Sequence, residues 1–342
     1  MSLEFRHIAH AYGEMQALRD VSFIAPTGEI TCLLGSSGCG KSTLLNLAAG
    51  LLPVQSGGVF VGADALAEPG LYPPPEARPV GLVFQDGALF PHMTIADNVG
   101  FGMVDPSNEA IEEWLEAVGL GGLEARYPHE LSGGQQQRAA LARAMAPEPQ
   151  VLLMDEPFAS VDIVLRRRLR RDCRKLLRMR GTTTVLVTHD PEEALDIGDR
   201  IAVMEAGRII QFGTPEQLHQ SPATASVGAI FGGAQVVRAK REGDWLKTPF
   251  GLWPLDSLAE GAANAPREGD CDLLVYAERL ACISETTGLR VRDVQSLGDV
   301  NRVLLVNASN EEITAQTTTP IDTQSEYSLT PQKGSLRAFA RD

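Results

Sequence analysis

The sequence predicts an α/β domain built around a largely parallel sheet, followed by a smaller all-β domain. Three observations carry that prediction. Short apolar runs at 30–34, 80–84, 151–154, 184–187 and 201–204 alternate with segments of helical period or with Pro/Gly loops. Ahead of and around the first of these, "LEFRHIAHAYG" and "LRDVSFIAPTGE" read as strands joined by a turn, which makes an antiparallel flank. After about residue 232 the character changes. The segments "GAQVVRAKREGDWLKTPFGLWPL" and "GLRVRDVQSLGDVNRVLLVNASNEEITAQTTTP" hold short β-rich runs broken by Gly, Asn and Asp turns, as in a small barrel or sandwich. The boundaries expected are 1–232, with a helical subdomain over about 90–150, and 233–342.

Composition narrows the function. The 342 residues suffice for two or three cores, and 44% apolar with 22% charged residues is far from the composition of a disordered chain. Acidic residues outnumber basic ones 44 to 30, and the formal net charge of -14 opposes nucleic acid, so no nucleic-acid partner is expected. The five cysteines (Cys32, Cys39, Cys173, Cys271, Cys282) show no CxxC spacing. They read as reduced thiols of a cytoplasmic protein rather than as a zinc site or disulfide framework. No run approaches the ~18 apolar residues of a membrane span, and "MSLEFRHIAHAYG" lacks an apolar core flanked by basic residues. Any work at a membrane is expected to be done from outside the bilayer.

Two helices are legible by period. In "PSNEAIEEWLEAVGL", Ile111, Leu115 and Val118 recur on one face and Ser107 stands where an N-cap belongs. The basic stretch "RRRLRRDCRKLLRMR" has Leu165, Leu169, Cys173 and Leu176 or Leu177 at helical spacing. It reads as an amphipathic helix with a solvated basic face and no site.

The chemistry begins at "GSSGCGKST", comprising Gly35, Ser36, Ser37, Gly38, Cys39, Gly40, Lys41, Ser42 and Thr43. It lies between an apolar strand and a helix, the context that raises G-x-x-x-x-G-K-[ST] above chance. Glycines let successive N–H groups curl around phosphate oxygens, and the following helix contributes its positive end. Lys41 is expected on the β and γ phosphates and Ser42 on magnesium. Cys39 reads either as a thiol activated by the helix end or as a small residue that fits the loop.

At the end of the apolar strand "VLLMDEP", Asp155 and Glu156 stand side by side. Asp155 is placed to hold the magnesium ion and Glu156 to polarise an attacking water. In "LSGGQQQRAALARAM", Ser132, Gly133 and Gly134 open an amphipathic helix. By themselves they make either a second anion-binding terminus or a plain glycine-rich cap.

Taken in this order and spacing, "GSSGCGKST", "VLLMDE" and "LSGGQ" resemble the Walker A, Walker B and signature motifs of ATP-binding cassette (ABC) transporter ATPases over residues 3 to 235. The resemblance implies a P-loop NTPase, RecA-like core. It also implies that Gln85 in "VFQDGALFPHMTIADNV" is the Q-loop glutamine, a magnesium ligand with Ser42 and Asp155. "SVD" ending at Asp162 resembles the D-loop and His189 in "VLVTHD" the switch histidine. Tyr12 corresponds to the aromatic that stacks on adenine, although its place in a strand equally suits a core residue. The implied catalytic set is Glu156, His189, Gln85 and Lys41. The implied nucleotide contacts are Tyr12, residues 35–43, Gln85, Asp155 and Asp162, with Ser132, Gly133, Gly134 and Gln135 from a second copy.

In this family two cassettes meet head to tail, so ATP and Mg2+ would be trapped in a homodimer. Two outlets for the energy compete: a membrane importer, and a soluble ABC ATPase acting on nucleic acid or ribosomes. The single cassette, the acidic charge and the likeness of "ALFPHMTIADNVGFGM" to the segment that receives a permease favour the importer. Two integral permease subunits and, indirectly, a solute-binding protein would then be partners, at the cytoplasmic face of the inner (plasma) membrane. The C-terminal part resembles the OB-like regulatory domain often called TOBE. It departs at "LLVYAERL", where Ala277 and Glu278 stand in place of the usual Arg-Pro-Glu triplet. Overall likeness points to ferric iron as solute, with polyamine, thiamine, sulfate and sugar as alternatives.

Overall fold

The fold is seen in a computed structural model that describes residues 1–159, 161–259, 269–285 and 288–341. Contacts divide the chain into two units, Met1–Glu216 and Gln217–Asp342.

The first unit opens with β1 (Leu3–Tyr12) and β2 (Met15–Ala25), antiparallel strands whose alternate residues Leu3, Phe5, Val21 and Phe23 face a core. Next come β3 (Ile30–Leu34), α1 (Lys41–Ala49), β4 (Ser56–Val61), β5 (Asp64–Ala67) and β6 (Val80–Val83). A helical segment follows: α2 (Ile95–Gly100), α3 (Asn108–Ala117) and α4 (Gly133–Met145). The unit then runs through β7 (Val151–Asp155), α5 (Ile163–Arg180), β8 (Thr183–Thr188), α6 (Pro191–Ile197), β9 (Arg200–Glu205) and β10 (Arg208–Gly213).

Among the described residues, one sheet has the order β2-β1-β4-β5 and is antiparallel, the flank expected. The other has the order β10-β9-β3-β8-β7-β6, parallel except for β10. Its central strands β3 and β8 are buried at every position, which is why they read as continuous apolar or Thr/Val runs rather than alternating ones. The helices start where side chains satisfy free N–H groups. Thr94 forms a capping box with Asp97, and Ser107 Oγ accepts from Ala110 N at 3.1 Å.

Helix α7 (Pro215–Gln220) crosses the division and α8 (Ala225–Gly232) follows it. Helix α8 packs by Ala225 against Leu274 and Phe339, within the second unit. The remaining strands are β11 (Gln235–Glu242), β12 (Trp245–Thr248), β13 (Gly251–Pro254), β14 (Gly269–Val275), β15 (Leu280–Glu285), β16 (Leu289–Ser296), β17 (Asn301–Val306), β18 (Glu312–Thr317), β19 (Glu326–Pro331) and β20 (Arg337–Ala340). They form two antiparallel sheets, β13-β12-β11-β14-β20 and β15-β19-β16-β17-β18, around a core that includes Trp253, Leu273, Leu305 and Tyr327. This is the all-β part the turn-rich sequence predicts. Among the described residues no helix is long and apolar enough to cross a membrane.

Candidate nucleotide site

Strand register sets the site. In the parallel sheet Leu34 pairs with Thr188, Asp155 with Val187, and Val83 with Met154. The loops that follow β3, β6, β7 and β8 therefore emerge level at the carboxyl edge, where α/β sheets bind ligands. Residues 35–43, Gln85, Glu156 and His189 all lie in or directly after those loops.

The loop after β3 needs its glycines. Gly40, the N-cap of α1, has φ 108, a left-handed conformation disfavoured for other residues. At Gly35 an added Cβ would lie 2.2 Å from the Met204 carbonyl oxygen and 2.8 Å from Cys39 Sγ. Lys41 is buried, and its Nζ donates to the carbonyls of Gly35 at 2.8 Å and Ser36 at 2.9 Å. The cation is thus held against the loop that precedes it, within reach of a phosphate lodged there. Cys39 is buried too, with Sγ 3.8 Å from Lys41 Nζ, which makes it a fitted small residue of the loop.

Ser42 Oγ donates to Asp155 Oδ1 at 3.3 Å, joining the loop after β3 to the end of β7. Burial pushes the Asp155 carboxyl above the ordinary range and the neighbouring Glu156 charge adds to it, against the Ser42 hydrogen bond. Glu156 is a non-glycine residue at φ 44, fixed by its N–H donating to Val187 O at 3.0 Å. Such local strain clusters at functional positions. Its Oε1 lies 3.0 Å from His189 Nδ1.

Tyr12, half exposed at the end of β1, places its hydroxyl 3.4 Å from Thr43 Oγ1, with His10 edge-on to its ring at 4.9 Å. Its position therefore fits the contact reading better than the core reading. Polar contacts thus join Tyr12 with Thr43, Ser42 with Asp155, and Glu156 with His189. Gln85 is exposed in the turn after β6. Ser132 and Gln135 sit apart on α4 as a capping box: Ser132 N donates to Gln135 Oε1 at 2.9 Å, and Gln135 N to Ser132 Oγ at 3.4 Å. The serine hydroxyl is an acceptor here. Asp162 Oδ1 accepts from Leu165 N at 3.0 Å in the first turn of α5.

The ABC transporter family model matches residues 18–159. A sulfate/thiosulfate import ATP-binding protein of Mesorhizobium japonicum is 44% identical over 322 residues, covering 89% of this chain and 92% of its own. An Fe(3+) ions import ATP-binding protein of the same organism is 42% identical over 259 residues, covering 75% and 72%. The chain belongs to the ABC import ATPases. Two solved structures agree: a dimeric post-hydrolysis cassette bound to ADP and Pi (29% identity, TM-score 0.54, covering 62% of this chain and 98% of that one) and a nucleotide-free cassette from an ABC transporter (27%, TM-score 0.60, 68% and 99%).

In this ABC import ATPase the segment after Gln85 is held by two residues the sequence reading did not single out. Asn98, fully buried, donates to the carbonyls of Phe90, Met93 and Thr94 and accepts from Phe90 N. Arg143 donates to Ala88 O at 2.7 Å and Gly87 O at 3.3 Å. They shape a groove of about 400 Å³ lined by Phe84, Phe90, Phe101 and Pro147.

One expectation is corrected. The basic stretch of α5 is not solvated throughout, because Arg170 is 2% exposed. It precedes Cys173 by three residues and Leu177 by seven, so it shares their inward face. A cation at an apolar register was the signal available for it.

Proposed function

We propose that this import ATPase traps Mg-ATP between two copies of itself and drives two integral permease subunits from the cytoplasmic face of the inner (plasma) membrane. The observation that carries the catalytic part is the convergence of Lys41, Ser42, Asp155, Glu156 and His189 on one sheet edge.

The residues fit a divalent cation of hard oxygen preference. Ser42 Oγ and Asp155 Oδ1 are adjacent, and a half-buried carboxyl pushed up by desolvation and a neighbouring acid is one that a cation would relieve. Ser42, Asp155 and Gln85 would hold it, and when bound it neutralises charge on the β and γ phosphates. Lys41 exchanges its carbonyl partners for phosphate oxygens. Tyr12 stacks on the adenine. Glu156 accepts the proton of the attacking water, and His189 is oriented by Glu156 toward the γ-phosphate. Ser132, Gly133, Gly134 and Gln135 of a second copy close the cage, with Asp162 at the boundary between copies. The dimeric, ADP- and Pi-bound cassette among the structural neighbours supports that arrangement.

The groove beside Phe90 and Phe101 is read as the permease seat, since it exposes the aromatics Phe84, next to Gln85, and Phe101. The β-rich part of the second unit is read as a TOBE-like regulatory domain, with the ATPase domain at 1–232 and the regulatory one at 233–342, although the contact division falls earlier, after Glu216, and groups α8 with the β-rich part.

For the solute, an inorganic ion is favoured, with sulfate or thiosulfate first. That preference rests on the length of the sulfate/thiosulfate relative's match, 322 residues against 259 for the ferric-iron one. Ferric iron is the second reading. Copurification from membranes should yield two permeases, and the ligand of the associated binding protein then decides the solute. A sugar or polyamine there would overturn both readings. Glu156→Gln should keep ATP affinity, lose about 10²- to 10⁴-fold in turnover and accumulate dimers. Wild-type turnover in that variant would remove Glu156 as the base.

A further inference from the structure

Arg170 stands where a charge is expensive. It is 2% exposed on α5, yet its guanidinium serves three carboxylates of the segment that follows His189. It donates to Asp190, the N-cap of α6, and lies 3.6 Å from Glu193 and 3.4 Å from Asp196. Glu193 is buried as well and accepts from Thr188 Oγ1 at 2.9 Å. That same hydroxyl accepts from Asp190 N at 2.9 Å. Both chain neighbours of His189 are therefore pinned, Thr188 through Glu193 and Asp190 through Arg170. Helix α6 is only 7 residues long, too short to be stable without such anchors.

One turn earlier on the same face, Arg166 donates to the carbonyls of Ala159 at 3.3 Å and Val161 at 2.9 Å. These belong to the segment that leads from Glu156 to Asp162. A single helix thus grips two loops. Removing a buried ion-pair partner leaves uncompensated charge, so the grip is stiff rather than adjustable.

We propose that Arg170 and Arg166 are positioning residues for hydrolysis, tying the loop of His189 and the segment ending at Asp162 to one helix, so that displacement of either segment is imposed on the other. This rests on the roles given above to His189 and Asp162. Engagement of Asp162 by a second copy then sets the position of His189, and turnover depends on the dimer through α5 as well as through the shared nucleotide.

The test uses the full chain. Arg170→Lys, which keeps the charge but not the forked geometry, should lower kcat by about ten- to a hundredfold, the scale of a misplaced catalytic group, with ATP affinity unchanged within about twofold. In a His189→Ala background the same substitution should lower kcat no further. Full additivity of the two, unchanged kcat in Arg170→Lys, or an ATP affinity that falls with kcat would overturn the proposal. Wild-type turnover in His189→Ala would instead overturn the role of His189, and the inference with it. Arg166→Lys supplies a second readout that needs no turnover. Amide exchange should quicken at Asp190 and Glu192 as well as at Val161, and quickening at Val161 alone would refute the coupling.

Discussion

Glu193→Gln isolates the energetics of the buried cluster on which this mechanism leans. Burial pushes the Glu193 carboxyl up to about 7, against the hydrogen bond from Thr188 and the charge of Arg170. The folded chain therefore holds this proton more tightly than the unfolded chain. The stability so gained is fully present below the ordinary value of 4.5 and is lost as pH rises through about 7. Each pH decade in that window is worth about 1.4 kcal/mol, so complete ionisation costs the fold about 3 kcal/mol. Glutamine has the shape of the protonated acid, still accepts from Thr188, and never ionises. Since the sequence pI is ≈ 4.9, the comparison belongs above the pH of minimum solubility. From about pH 5.5 to pH 8 the advantage of the variant over wild type should grow by about 2 kcal/mol. Urea unfolding of both full chains at the two pH values measures it, and subtracting one protein from the other cancels every shared titration. An advantage that stays constant with pH would refute the reasoning. A variant less stable than wild type at pH 8 would show that the ionised Arg170–Glu193 pair is net stabilising.

Substitutions at two further positions probe the nucleotide site. Gly35→Ala forces a methyl group to 2.2 Å from a backbone oxygen of β9, which cannot swing aside as a side chain can. A stability loss of about 1–3 kcal/mol and weakened ATP binding should follow, and thermal melting with ATP titration at wild-type values for both would refute the packing argument. Tyr12→Ala should weaken ATP binding by about 1–3 kcal/mol while Tyr12→Phe leaves it intact. Equal affinities in the two variants would remove stacking as the role of Tyr12.

What was legible in the sequence and what was not divides along a physical line. The loop of residues 35–43 announces itself because its pattern is contiguous, with a left-handed glycine at 40 directly before Lys41 and Ser42, whereas the lack of room at Gly35 is set by Met204 of β9 and is not visible locally. Asp155 and Glu156 are visible as acids where an apolar strand ends. Gln85, Asp162 and His189 carry no such local demand and came only through the family resemblance. The strands of the second unit were legible as β-rich runs, but their order was not. The pairing of β14 with β20, for example, joins Leu273 to Ala338 across distant sequence, and no local pattern encodes it.

Arg170 and Glu193 escaped for a sharper reason. Each matches a common surface pattern: Arg170 sits in a run of basic residues, and Glu193 follows Asp190 and Pro191 in an acidic first helical turn of the kind that complements the helix dipole. Type and neighbours therefore point outward, and only register points inward. Arg170 shares its face with Cys173 and Leu177, while Glu193 is adjacent to Ala194 and one turn before the buried Ile197. Burying a cation among acids costs more desolvation than an apolar residue at the same position, so packing alone gives no reason for it. What an apolar residue cannot do is hold Asp190 in place as N-cap while orienting the acceptor of Thr188. The charge is explained by the loop it fixes, and that loop carries His189.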